Sequence, residues 1–227
     1  MNNKIKIKGV LFDMDGLLLD TESVGLICWQ ASCKDLGYEL TDEMYKKLIG
    51  LQAQQSNKIL IEFFGEDFPL ETVREIKMKY YKEYKENNPI NEKKGAKELL
   101  NFLNNNNIPC SLATSTYREY AIPSLKKVGL LDYFQATTTG DEVKNGKPSP
   151  DIFLLAAEKI NIPANKCIIL EDSFNGIKAA HAAQGFPIMI PDLIIPDDEI
   201  RKLTHRIEDS LLSVLDLIEN QIIEIEK

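Results

Sequence analysis

Asp13 and Asp15 stand two residues apart at the end of an apolar run, Val10-Leu11-Phe12, with Gly16 directly behind them. Thr114 and Ser115 follow Leu112-Ala113, Glu171 and Asp172 follow Ile168-Ile169-Leu170, and Lys147 lies in Gly-Lys-Pro-Ser-Pro ahead of a helical pattern. Four acidic groups gathered in a partly dry cleft repel one another. A hard divalent cation removes the conflict. Magnesium takes oxygen ligands, keeps several waters and bridges to substrate phosphate, so it suits a histidine-free carboxylate set better than zinc does. The remaining groups suit a phosphate: a fixed charge from Lys147, a hydroxyl from Thr114 with Ser115 beside it, and close backbone approach at Gly16. A carboxylate can attack phosphorus and form an acyl-phosphate, which gives Asp13 the role of nucleophile. Asp15 is then placed to protonate the departing alkoxide and later to take a proton from the attacking water. Lys147 and magnesium would offset charge on the transferring group.

Each fragment alone has an ordinary explanation. Asp-x-Asp occurs in turns, where Asp caps local backbone groups. Glu-Asp before Ser173 reads as a helix start, and Lys-Pro-Ser-Pro as a helix entry with Ser149 as N-cap and Pro150 in the first turn. What singles these residues out is that they occur together, in order, each at the end of its own strand or loop. Ligands bind outside the carboxyl ends of the strands of an open parallel sheet.

The elements that must position them follow from periodicity. Apolar runs of strand length, KIKGVLF, IPCSLAT, QATTT, KCIILE and PIMIP, alternate with helical patterns such as AKELLNFLNNN and DIFLLAAEKI. This alternation predicts an α/β fold with a mostly parallel sheet covered by helices. From Thr21 to about Glu92 the pattern changes to four helix-like segments with no strand, which predicts a helical insertion. Val73, Ile76, Tyr80 and Tyr84 recur at helical spacing, so they are expected to pack while Arg74, Lys77, Lys79, Lys82 and Lys85 stay in water. The stretch from Ser210 to Ile225 reads as a helix packed back on the core.

The chain of 227 residues is 44% hydrophobic and 27% charged, enough for one sizeable core plus a smaller unit. It contains no apolar run long enough to span a membrane, and its first residues pass straight into a strand pattern, so a soluble, cytoplasmic protein is expected. A net charge of −8 argues against nucleic acid and anionic membranes as partners and leaves a small-molecule phosphate ester. A monomer or a weak homo-oligomer is expected. Cys28, Cys33, Cys110 and Cys167 form no CxxC pair and read as small buried hydrophobes.

At these residues the sequence resembles the haloacid dehalogenase superfamily, and within it the beta-phosphoglucomutase-like phosphatases with a helical cap. The motifs are Asp-Met-Asp-Gly-Leu-Leu-Leu-Asp-Thr (Asp13 to Thr21), Leu-Ala-Thr-Ser (Leu112 to Ser115), Gly-Lys-Pro-Ser-Pro-Asp-Ile-Phe (Gly146 to Phe153) and Leu-Glu-Asp-Ser-Phe-Asn-Gly (Leu170 to Gly176). The resemblance spans nearly the whole chain. It implies a Rossmann-like core, residues 1–21 and 91–227, and an inserted four-helix cap, residues 22–90, that closes over the site. It also implies Mg2+ held by the Asp13 side chain, the Asp15 backbone carbonyl and Asp172, with Glu171 as a ligand or behind one. The acid at Asp15 favours a phosphorus substrate over the dehalogenase branch.

Two positions depart from beta-phosphoglucomutase, the main alternative. That enzyme carries a histidine five residues after the Asp of its Asp-Thr pair and an arginine in a cap loop; here Gly25 and the loop Ile49-Gly50-Leu51-Gln52-Ala53 stand there. A mutase must hold a bisphosphate and turn it around, so missing cap cations favour hydrolysis of a sugar phosphate or nucleoside monophosphate. Gln52, Gln54 and Gln55 are the polar cap residues expected to touch substrate. A receiver domain also phosphorylates an Asp beside magnesium, a Thr or Ser and a Lys, but it places that Asp after its third strand and carries no helical insertion. A catalytically silent binding protein of the same fold would have no need to keep every one of these groups.

Overall fold

The computed structural model describes residues 5–49, 53–88, 90–220 and 222–226. The chain divides into two compact units, Met1–Leu19 with Asn91–Lys227, and Asp20–Ile90.

The larger unit is built on a parallel sheet. Strands β2 (Gly9–Phe12), β3 (Cys110–Ala113), β4 (Ala136–Thr138), β5 (Cys167–Glu171), β6 (Phe186–Met189) and β7 (Arg206–Ile207) lie in the order β4-β3-β2-β5-β6-β7. Every pairing within it is parallel, with Val10 opposite Cys110 on one side and Ile168 on the other. Residues of β2, β3 and β5 are buried throughout, as expected of strands covered on both faces. Helices α5 (Ala96–Asn105), α6 (Arg118–Lys127), α7 (Asp151–Lys159), α8 (Phe174–Ala182), α9 (Asp198–Leu203) and α10 (Leu211–Glu219) belong to the same unit. One core cluster joins Leu11, Ala113 and Ile169 of the sheet to Ile152, Phe153, Ala156, Ala179 and Ala180 of α7 and α8. β2 therefore sits between strands reached by opposite crossovers, the switch point at which open α/β sheets bind ligands.

The smaller unit contains α1 (Thr21–Asp35), α2 (Asp42–Lys46), α3 (Ala53–Phe64) and α4 (Leu70–Asn87) and no strand among its described residues. Thr41 caps α2 by accepting from the Met44 amide at 3.2 Å. Trp29 of α1 is buried.

Three expectations are corrected and one strand is new. KIKGVLF is not one strand: β1 (Ile5–Ile7) breaks away before β2 and pairs with β8 (Ile223–Ile225) in a separate two-stranded sheet. The same pairing ends the predicted C-terminal helix at Glu219, because Ile223 and Ile225 find ladder partners in Ile5 and Ile7 that helix formation would forfeit. The two-residue β7 had no readable period. Finally, Arg74 is not a solvated cation: its guanidinium bonds Asn57 Oδ1 at 2.6 Å and Ser56 Oγ at 3.2 Å and lies 5.4 Å from the Trp29 ring. Smaller shifts occur elsewhere. The N-cap of α7 is Pro150, and Ser149 instead bonds the Asp151 carboxylate at 2.5 Å.

Candidate active site

Asp13 follows the last residue of β2, and its amide donates to the Leu170 carbonyl of β5 at 3.1 Å, which locks the start of the first acidic loop to the strand that carries Glu171 and Asp172. The loop then turns back on itself: Gly16 adopts φ 81°, which glycine reaches without steric cost, and its amide donates to the Leu19 carbonyl at 2.9 Å. On the other side of β2, the Thr114 amide donates to the Thr138 carbonyl at 3.0 Å, placing Thr114 beyond the end of β3.

Lys147 reaches this point from the loop ahead of α7. Its ammonium donates to Asp13 Oδ1, to Glu171 Oε1 at 2.6 Å and to the Ala113 carbonyl at 3.2 Å. Its nitrogen stands 4.9 Å from the centre of the Phe153 ring, which contributes a cation–π contact. Lys147, Asp13 and Glu171 are all buried, so none of the three is compensated by bulk water.

Glu171 is held on its other oxygen too. Oε2 accepts from the Ser173 amide at 2.8 Å and from the Ser173 hydroxyl at 2.9 Å. Ser173 in turn caps α8 by accepting from the Gly176 amide at 3.1 Å. A Cβ at Gly176 would run into the Glu171 carboxylate, so only glycine leaves room for it there. Ser173 is thus the helix start that the sequence suggested, with Glu171 and Asp172 directly ahead of it.

The carboxylate oxygens of Asp13, Glu171 and Asp172 come within 4.8 Å of one another. Lys147 pairs with two of them, Asp13 and Glu171, and all three carboxylates are buried. Burial raises the Asp13 carboxyl; Lys147 works against this, while Glu171 and Asp15 add to it, and the balance lies at about 8. For Lys147 burial favours the neutral amine, but the Asp13 and Glu171 charges outweigh it and hold the ammonium well above the usual lysine range. An all-oxygen donor set of three buried carboxylates fits a hard divalent cation such as magnesium.

The Asp15 carboxylate has hydroxyl partners of its own. Oδ2 accepts from the Thr116 hydroxyl at 2.6 Å, and the Thr114 hydroxyl stands 3.4 Å away. Asp15 and Asp13 therefore have separate surroundings although one residue lies between them. Thr116 was not anticipated; its only trace in the sequence is its place two residues beyond Thr114 in a Thr-Ser-Thr run. Ser115 is exposed at the end of β3. Gln52 lies outside the described residues; Gln54 and Gln55 belong to the first turn of α3, where Gln55 is exposed. His181 of α8 is exposed. The four cysteines are buried and form no disulfide, and burial pushes the thiols of Cys110 and Cys167 up to about 12. No described helix is long and apolar enough to cross a membrane.

Comparison with known proteins places this geometry in context. The family model for haloacid dehalogenase-like hydrolase matches residues 10–189. A phosphorylated carbohydrates phosphatase of Thermotoga maritima is 34% identical over 181 residues, covering 78% of this chain and 82% of that protein. The beta-phosphoglucomutase of Bacillus subtilis is 27% identical over 203 residues, 83% of this chain and 89% of that one. Among solved structures, beta-phosphoglucomutase from Clostridium difficile superposes with a TM-score of 0.74 at 26% identity, covering 95% of this chain and 97% of that chain.

Proposed function

The chain belongs to the haloacid dehalogenase-like hydrolases, and from that premise we propose that it is a magnesium-dependent phosphatase acting on a small phosphometabolite, a sugar phosphate or a nucleoside monophosphate. The observation that carries this reading is the Lys147 ammonium shared between Asp13 and Glu171 inside a buried carboxylate cluster.

Asp13 is the nucleophile. One of its carboxylate oxygens bonds to phosphorus as the bond from phosphorus to the alkoxide oxygen breaks, giving an aspartyl-phosphate. Asp15 supplies the proton that the leaving oxygen takes up. In the second step Asp15 removes a proton from water as that water attacks phosphorus, releasing inorganic phosphate and restoring Asp13. Lys147 keeps Asp13 in place through Oδ1 and offsets charge on the phosphoryl oxygens; Thr114, Ser115 and the backbone at Gly16 supply further hydrogen bonds to them. Asp13, Asp172 and the Asp15 carbonyl would hold Mg2+, with Glu171, occupied by Lys147 and Ser173, behind them. When bound, the ion neutralises phosphate charge during transfer. We assign residues 1–21 and 91–227 to catalysis and residues 22–90, including Gln52, Gln54 and Gln55, to substrate selection. The relative named for phosphorylated carbohydrates supports a small phosphate ester as substrate.

The rival reading, a sugar-phosphate mutase, is favoured by the similarity to beta-phosphoglucomutases. The packing at Gly25 weighs against it: an added Cβ would run into Tyr45 Oη, so a histidine at this place, as in those enzymes, would require the Tyr45 side chain to move. A screen for magnesium-dependent phosphate release across sugar phosphates and nucleoside monophosphates, run on the natural protein and on Asp13→Asn, tests the proposal. Release by the first and loss of at least 1,000-fold in the second, on the order of a nucleophile's contribution, are expected. Near-normal turnover by Asp13→Asn would refute it, and isomerisation of beta-glucose 1-phosphate without phosphate release would establish the mutase.

A further inference from the structure

We propose that Thr116 is the positioning residue for Asp15, its hydroxyl fixing the direction of the carboxylate that exchanges a proton with the leaving group. The inference rests on the phosphatase reading and deepens it.

An Asp side chain has two rotatable bonds, and its carboxylate must lie within hydrogen-bond reach of the leaving oxygen to transfer a proton. Asp15 sits in a turn, partly exposed, and unlike Asp13 it has no cation bonded to it among the described residues. Its orientation is set from β3 and the residues beyond. The Thr116 hydroxyl donates to Oδ2 at 2.6 Å, while Thr114 Oγ1 accepts from the Thr116 amide at 3.1 Å and stands 3.4 Å from the same Oδ2.

These three contacts divide the labour between the two threonines. Thr114 Oγ1 anchors the Thr116 backbone, so Thr116 cannot drift from Asp15. The Thr116 carbonyl also accepts from the Gly140 amide at 3.1 Å, which ties the same residue to the end of the neighbouring strand β4. Thr116 is therefore held on its amide and carbonyl and presents its hydroxyl to one oxygen. The Thr116 hydroxyl can go on donating to Oδ2 whether the other oxygen, Oδ1, carries the proton to be delivered or is free to take one from water. The same side chain thus serves both halves of the cycle, and valine, of nearly the same shape, serves neither.

The effect is read in kcat/KM, which covers steps through departure of the leaving group. An alkyl phosphate needs a proton on its poor leaving group; p-nitrophenyl phosphate does not. Thr116→Val is expected to lower kcat/KM by about 10- to 100-fold for the alkyl ester, the range of a misplaced catalytic group, and by less than about threefold for the aryl ester. Thr116→Ser should recover the alkyl reaction to within a few fold. In an Asp15→Asn background, Thr116→Val should cost nothing further, because there is no proton transfer left to position. Equal losses on both esters, or an undiminished loss in the Asp15→Asn background, would show that Thr116 merely supports the fold and overturn the proposal, as would an unchanged alkyl rate. If Thr116→Val does not fold, Thr116→Ala is put through the same comparison. Turnover by Asp13→Asn would instead sink the phosphatase reading itself, so the two failures are separable.

Discussion

Lys147 Nζ meets Glu171 Oε1 at 2.6 Å with both side chains buried, while the same ammonium donates to Asp13. Lys147 thereby ties the two ends of the site together: the residue at the mouth of β2 and the residue that closes β5. Replacing it with methionine would preserve most of the stem over Phe153 and leave two carboxylates without their cation. Removing one partner of a buried pair costs roughly 3–5 kcal/mol, so Lys147→Met should unfold at clearly lower urea concentration and lose at least 100-fold in phosphate release. Magnesium added to the variant should restore part of the stability.

The Asp13 carboxyl supplies a pH dependence. Its folded value, about 8, lies above its ordinary value of 3.8. A carboxyl raised on folding binds its proton more tightly in the native state, so it adds stability at low pH that is lost as the pH rises from about 4 through 8. Melting of the metal-free protein should therefore show this contribution falling across that window. Because a cation at the cluster competes with this proton, apparent Mg2+ affinity, followed by calorimetric titration, should rise by about tenfold per pH unit up to roughly pH 8. A flat affinity between pH 6 and 8 would contradict it.

Gly176 and Glu171 offer a more local test. Gly176→Ala would push a methyl into the Glu171 carboxylate and displace it from Lys147 and Ser173. Phosphate release should fall at least tenfold. Ser173→Ala, which loses the N-cap of α8 as well as a donor to Glu171, should cost about 1–2 kcal/mol in urea denaturation.

In the helical unit, Tyr45 Oη occupies the space beside Gly25 and donates to Glu22 Oε2 at 2.9 Å. Gly25→Ala should destabilise by about 1–3 kcal/mol through overpacking. Combining it with Tyr45→Phe, which removes the obstructing oxygen, should recover part of that loss; additive losses in the double variant would mean the two positions do not compete for the same space.

Much of the site could be read from the chain alone because strand ends are legible. An unbroken apolar run such as Ile168-Ile169-Leu170 marks a buried strand, and the polar residue that ends it must lie at the sheet's edge, where Glu171 and Asp172 are found. Asp13, Thr114, Glu171 and Asp172 are all marked in this way by the apolar runs they follow. Such a reading could not see that the Asp15 carboxylate faces Thr116 while Asp13 faces Lys147, since both acids share one loop and the same composition on either side. Nor could it see β8, a three-residue strand too short to carry a period.

Residue type and periodicity thus settled which side chains reach the carboxyl edge of a parallel sheet, because that follows from local spacing, and the properties of oxygen donors beside an ammonium are what point to the proposed chemistry. The folded structure decided the pairing. Lys147 chooses Asp13 and Glu171, Ser173 braces Glu171, β1 leaves the main sheet for β8, and Thr116 takes Asp15. Each of these is a contact between segments far apart in the chain or a choice of rotamer within one turn, and such choices are fixed by which neighbours exclude water and satisfy a buried charge, a property of the packed chain and not of any stretch of it.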